Sequence, residues 1–442
     1  MILELALLDF KSFSGPVLPL DLSGKVLGAY RALALNGNTV RLGGLSLIIG
    51  TNASGKSNIR DGLRFIHGIS RGYSLAEIIG EKYVEGGVLQ WKGIRGGVRE
   101  TVTRSGGSPK SEFTIQIGTK LDDDDGGGTA SYYITVNVGD KTHPPSVASE
   151  ALIFSNNRHS FKTKGPVGVG QVAVSVNRPS AKKALGPTLL LRSDRPALTQ
   201  LPEHSECLPD VRKECRAFLR TISSMRFLDL DPNSLRRPSI PGQTILGDTG
   251  ENLSSVLQAI CADPSSKESL IEWTRELTPL DVADLKFPEV SLEGRVQLQL
   301  VENGGREISA ESASDGTLRF LAFAAAVLGT EPSRFYFFEE IENGIHPNRA
   351  HLLVNLLQDV TSKGKIQVVG TTHSPALLSF LDQKALKDAS LVYRAGPVSK
   401  VRSLRDIPAL WEMPVGSRLP GELLSSGWFE NAAAFLEDKS AE

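Results

Sequence analysis

Hydrophobic and polar positions change period several times along this chain. The opening "ILELALLDFKSF" alternates as an amphipathic strand does, whereas Leu45 to Ile49 is continuously apolar, the pattern of a strand covered on both faces. That second run passes through "GTNASGKSN" into Ile59, Leu63, Ile66 and Ile69, spaced for one face of a helix. From about 100 to 190 come short Val-, Ile- and Tyr-rich runs, such as "EFTIQIG" and "SYYITVNVG", separated by Gly, Pro and Asp clusters. They predict a β-rich insertion. Helical spacing returns between about 205 and 290 in "PDVRKECRAFLRTI" and "ENLSSVLQAI", without a sustained heptad.

The last third returns to alternating strands and helices. "TLRFLAFAAAVLG" is apolar nearly all round and stops at Gly329, which predicts a buried helix. The aromatic run Phe335 to Phe338 predicts a strand, a helix follows from about Pro347 to Val360, and "KIQVVGTTH" predicts another buried strand. The expected fold is α/β, with a mixed sheet assembled from both ends of the chain and a β-rich and helical insertion between them. The expected divisions are 1–100, 101–190 (β-rich), 191–305 (a helical and mixed lid) and 306–442.

Composition narrows the function. With 442 residues, 40% of them hydrophobic, there is material for a large core, and no apolar run approaches the length of a bilayer span. The expectation is a cytoplasmic protein without a membrane partner. Cys207, Cys215 and Cys261 form no CxxC pair and predict neither disulfides nor a zinc site. A net charge of −1 gives no general attraction to nucleic acid, so any such contact needs a local patch, with Arg236, Arg237, Arg394, Lys400, Arg402 and Arg405 as candidates. "LDDDDGGG" (121–128) reads as a solvated hairpin tip.

The sharpest chemical signal is "GTNASGKSN", which fits G-x-x-x-x-G-K-[ST]. Gly50 and Gly55 let the backbone turn, so that N–H groups along Asn52, Ala53, Ser54 and Asn58 can face a phosphate. Lys56 is expected on the β- and γ-phosphates of ATP, and the Ser57 hydroxyl on Mg2+. Phosphoryl transfer also needs a metal-side carboxylate and a group that orients the attacking water. Glu339 and Glu340, at the end of the aromatic strand, are assigned those two roles in turn. His373, after the next strand, is a second catalytic candidate that donates toward the γ-phosphate or the water. Ser314 and Gly316, just before the buried helix, form either an anion site or an ordinary helix cap.

In this order the four elements resemble the ABC-type ATPases, more narrowly the RecF-like, SMC-like and OLD-like proteins of DNA repair and phage defence. "GTNASGKSN" is similar to their Walker A motif, "FYFFEE" to Walker B, "ASDGT" to the ABC signature and His373 to the switch histidine. The resemblance implies that ATP is sandwiched between protomers, so that Ser314 and Gly316 act in trans on a homodimer formed on ATP binding. It also implies a Mg2+-sensing glutamine, for which Gln90 is the candidate, and DNA or a separate nuclease or effector as partner. Glu339 stands where the family carries Asp. No TOPRIM nuclease domain is expected, since about 70 residues follow His373, and "FLDLDP" (227–232) reads as a strand and a Pro turn. A slowly hydrolysing, nucleotide-gated scaffold is the alternative function; a transporter ATPase fits less well, because about 255 residues separate Walker A from the signature.

Overall fold

Four large apolar residues in succession can all be buried only where both faces of their sheet are covered. Phe335–Phe338 meets that condition in the computed structural model, which describes all residues except 16–37, 105–109, 123, 125–126, 141, 155–157, 178–184, 279, 291, 413–419 and 442. Phe335 and Phe337 face one core with Phe227, Ile48 and the helix residues Ile59, Leu63 and Ile66. Tyr336 and Phe338 face another, built on helices Leu253–Ile260, Asp315–Leu328 and Ala350–Ser362.

In chain order the strands are β1 (Ile2–Leu8), β2 (Thr39–Arg41), β3 (Leu45–Ile49), β4 (Lys82–Val84), β5 (Val88–Trp91), β6 (Glu112–Lys120), β7 (Thr129–Asn137), β8 (Ser146–Phe154), β9 (His159–Pro166), β10 (Gln171–Asn177), β11 (Leu185–Arg192), β12 (Met225–Leu228), β13 (Val282–Lys286), β14 (Gln299–Glu302), β15 (Glu307–Ser309), β16 (Phe335–Phe338), β17 (Gln367–Thr372), β18 (Ser390–Ala395) and β19 (Val398–Ser403). The central sheet has the order β12-β16-β17-β3-β18-β19. Its pairs are parallel except β18 with β19, so it is the expected mixed sheet; β3 and β16 to β19 come from the two chain ends, and β12 joins them from the stretch expected to form a lid.

A second sheet has the order β11-β10-β9-β8-β7-β6-β1-β2 and is antiparallel throughout. The β-rich stretch expected as an insertion therefore shares its sheet with the N-terminal strand, Leu5 standing opposite Ile117. Helix Lys56–Ser70 lies against this sheet through Gly62, where an added Cβ would stand 2.6 Å from Leu7 Cδ2. Of the acidic hairpin tip, Asp123, Asp125 and Gly126 lie outside the described residues. The tip is closed by Leu121 N–H donating to Gly128 O at 3.0 Å, and Asp122 pairs with Arg334. The three cysteines are free thiols, and no helix among the described residues is long and apolar enough to cross a membrane.

Candidate functional site

The loop between β3 and helix Lys56–Ser70 is shaped by three residues with positive φ: Gly50 (152°), Ala53 (61°) and Gly55 (115°). Neither glycine has room for a side chain. A Cβ on Gly50 would stand 2.2 Å from Val392 O, and one on Gly55 would stand 2.5 Å from Ser399 Oγ. Hydroxyls brace the loop from behind, with Ser399 Oγ donating to Ser54 O, Ser12 and Ser399 sharing a hydrogen bond of 2.6 Å, and Asn58 Nδ2 donating to Ser12 Oγ at 2.7 Å. Strands β18 and β19 thus hold the loop that β3 starts. Lys56 Nζ donates to Gly50 O at 2.6 Å and Thr51 O at 2.9 Å; burial lowers its pKa, opposed by the charges of Glu340 and Glu342.

Across from this loop stand the acids that follow β16, in a cleft of about 600 Å3 lined by Asn52, Ala53, Gly55, Lys56, Ser57, Asn58, Glu339 and Glu340 among others. Consecutive strand residues point to opposite faces, yet both glutamates line the cleft. The chain leaves the pleat at Glu340, whose φ is +47°, and its N–H is held by Thr371 Oγ1 at 2.9 Å. Asn343 Nδ2 donates to Glu340 Oε2 at 3.2 Å. Glu339 Oε2 accepts from Arg60 Nη1 at 3.1 Å, while its Oε1 is buried with no hydrogen-bond partner among the described residues. An unsatisfied buried carboxylate oxygen beside a phosphate-type loop suits a divalent cation, with Ser57 as the other candidate ligand.

His373 follows β17, its side chain about half exposed. Its N–H donates to Glu342 Oε1 at 3.1 Å, and its Nδ1 lies 3.4 Å from the same oxygen. Glu342, in the turn that follows Glu340, thus ties that turn to the end of β17. Ser314 caps helix Asp315–Leu328 by accepting from Thr317 N–H at 3.1 Å. Ser314 and Gly316 line a separate cleft with Gly344, His346 and Arg349 rather than the one beside Lys56. Gly316 packs on the backbone after β16, where its Cβ would meet Gly344 O at 2.1 Å.

Gln90 is not brought to this place. It is exposed on β5, in the short hairpin with β4, and does not line the cleft. Residues not singled out by the motifs do line it: Lys11, Asp229 and Arg319. Arg95 also lines the cleft, its Nη2 donating to Ser57 O at 2.5 Å and its Nε to both Asp61 oxygens at 3.2 Å. Arg236 likewise bonds Asp315 Oδ1 at 2.6 Å and Ala313 O at 3.0 Å, so it anchors the Ser314 segment. Arg405 pairs with Asp388 at 2.7 Å.

Among protein families, the one described as "AAA domain, putative AbiEii toxin, Type IV TA system" matches residues 45–119 and 184–379, more than half of the chain. No curated protein matches. Among solved structures, the chain is similar to an SMC head bound to the C-terminal winged-helix domain of ScpA, at 15% identity over 93% of this chain and 99% of that one, with a TM-score of 0.49. An SMC head with coiled coil and joint derived from Pyrococcus yayanosii gives 13%, 93%, 99% and 0.46 on the same measures. The SMC head from Thermotoga maritima gives 13%, 91%, 98% and 0.38.

Proposed function

Because the chain belongs to this AAA-domain family and has a P-loop ATPase fold, we propose that it binds ATP with Mg2+ and hydrolyses it, in a dimer that ATP closes head to tail. The observation that carries the reading is the cleft itself, where Lys56 and Ser57 face the consecutive acids Glu339 and Glu340. Lys56 and the N–H groups of the loop bind the phosphates. Glu340 orients and deprotonates the water that attacks the γ-phosphorus as its bond to ADP breaks, and His373, steadied by Glu342, donates toward a γ-phosphate oxygen. Ser57 and Glu339 would hold Mg2+, which when bound neutralises phosphate charge. Ser314 and Gly316 serve the partner protomer's nucleotide; their separation from the Lys56 cleft supports that role in trans.

The output is DNA repair or anti-phage defence through a separate nuclease or effector. A second reading, a scaffold that holds ATP and hydrolyses it slowly, is favoured by the Asn343 amide on Glu340. One experiment tests the core of the proposal. The Glu340→Gln protein with saturating ATP is expected to run as a dimer by light scattering, and a monomer there would sink the head-to-tail model. ATPase activity stimulated by duplex DNA would separate the DNA machine from the scaffold.

A further inference from the structure

Arg60 is only 7% exposed on helix Lys56–Ser70 and meets the carboxylates that directly follow two neighbouring strands. Its Nη1 lies 3.1 Å from Glu339 Oε2 and its Nη2 3.9 Å from Asp229 Oδ2. The parallel register sets Leu228 opposite Phe338, so Asp229 and Glu339 leave the sheet side by side. The "FLDLDP" segment thus contributes one acid to the cleft, while its second, Asp231, caps the helix Pro232–Leu235.

A guanidinium bonded to a metal-side carboxylate fixes its direction but also cancels its charge. A second anion on the same guanidinium restores the balance. We propose that Arg60 and Asp229 together are positioning residues for Glu339. Arg60 grips Oε2, so that the unpartnered Oε1 stays available to the cation, and Asp229 offsets the Arg60 charge, so that Glu339 keeps its own. A glutamate has one more rotatable bond than an aspartate, and Arg60 removes the freedom which that bond brings. The proposal rests on the Mg-nucleotide reading above.

The test titrates Mn2+, followed by the electron paramagnetic resonance of the free ion, into protein saturated with adenylyl imidodiphosphate. Four proteins are compared: wild type, Asp229→Asn, Arg60→Gln and the double variant. Asp229→Asn is expected to weaken Mn2+ uptake about tenfold, the scale of a lost outer-shell partner. Nucleotide affinity in EDTA is measured alongside, so that every protein is compared at full nucleotide occupancy. In the Arg60→Gln background the same change should cost less than about twofold, because the effect travels through the guanidinium. No effect of Asp229→Asn in the wild-type background, or an equal loss in both backgrounds, would overturn the proposal. Should Arg60→Gln fail to fold, Arg60→Lys takes its place, since one ammonium lacks the fork that reaches both acids. There the Asp229 effect should shrink at least by half, and an undiminished effect overturns the proposal. A wild type that takes up no Mn2+ with nucleotide would overturn the ATPase reading as well, whereas intact uptake with a failed cycle sinks this inference alone.

Discussion

At the scale of single residues, Glu340 carries a backbone cost that only its position justifies, since a φ of +47° puts a residue with a Cβ in the left-handed region. Glycine would take that conformation freely. Glu340→Gly is therefore expected to be more stable than Glu340→Ala by about 1 kcal/mol in chemical denaturation, although both lack the carboxylate. Equal stabilities would mean that the bend is not strained. The motif residues of the loop were legible in the sequence because they are contiguous and their geometry is local. Arg60 and Asp229 were not, because long stretches separate them from each other and from Glu339, and only the β12–β16 register sets Asp229 beside the Glu339 that Arg60 holds. A signal did exist: Arg60 and Asp61 interrupt a helix whose neighbours Ile59 and Leu63 are fully buried.

At the scale of elements, the contact between helix Asp315–Leu328 and the turn after β16 joins the candidate signature to the acidic strand. Gly316 and Gly344 let the two backbones touch, and Gly344 itself has a φ of +84°. Gly316→Ala would drive a methyl into Gly344 O, for which the expected loss is roughly 1–3 kcal/mol, as for other overpacked sites. Gly304→Ala, with nothing within 4 Å of its Cβ, should be nearly neutral and serves as the control in the same thermal melts. If the two variants melt together, the close approach has no energetic weight. The aromatic strand and the alanine-rich helix were readable from hydrophobic runs alone. Sheet membership was not: the short runs after residue 100 read as strands, but nothing in their period indicated that β6 would pair with β1.

At the scale of the whole molecule, two buried groups pull stability in opposite directions with pH. Burial lowers the pKa of His67 from 6.5 to about 4, so its contribution is complete above pH 6.5 and is lost as pH falls toward 4. Burial raises that of Glu150 from 4.5 to about 7, against the hydrogen bonds from Leu198 N–H, Ala197 N–H and Tyr132 OH. Its contribution is complete below pH 4.5 and is lost as pH rises through 7. Each is worth up to about 3 kcal/mol, and between pH 4.5 and 6.5 the slopes oppose. Relative to wild type, Glu150→Gln is expected to lose stability on acidification across that window and His67→Gln to gain it. Urea unfolding at several pH values reads both, and parallel profiles for all three proteins would refute the opposition.

The order of the central sheet also has a consequence in time. β3, which carries the phosphate loop, is flanked by β17 and β18, and both are encoded more than 300 residues later. On a ribosome adding roughly 5–20 residues per second, the loop would wait on the order of 15 to 60 seconds for its neighbours. During that interval an apolar strand meant for two partners has neither. Nucleotide capture would then wait on the arrival of β17 and β18, and the nascent chain would be a natural client for a holding chaperone throughout the wait.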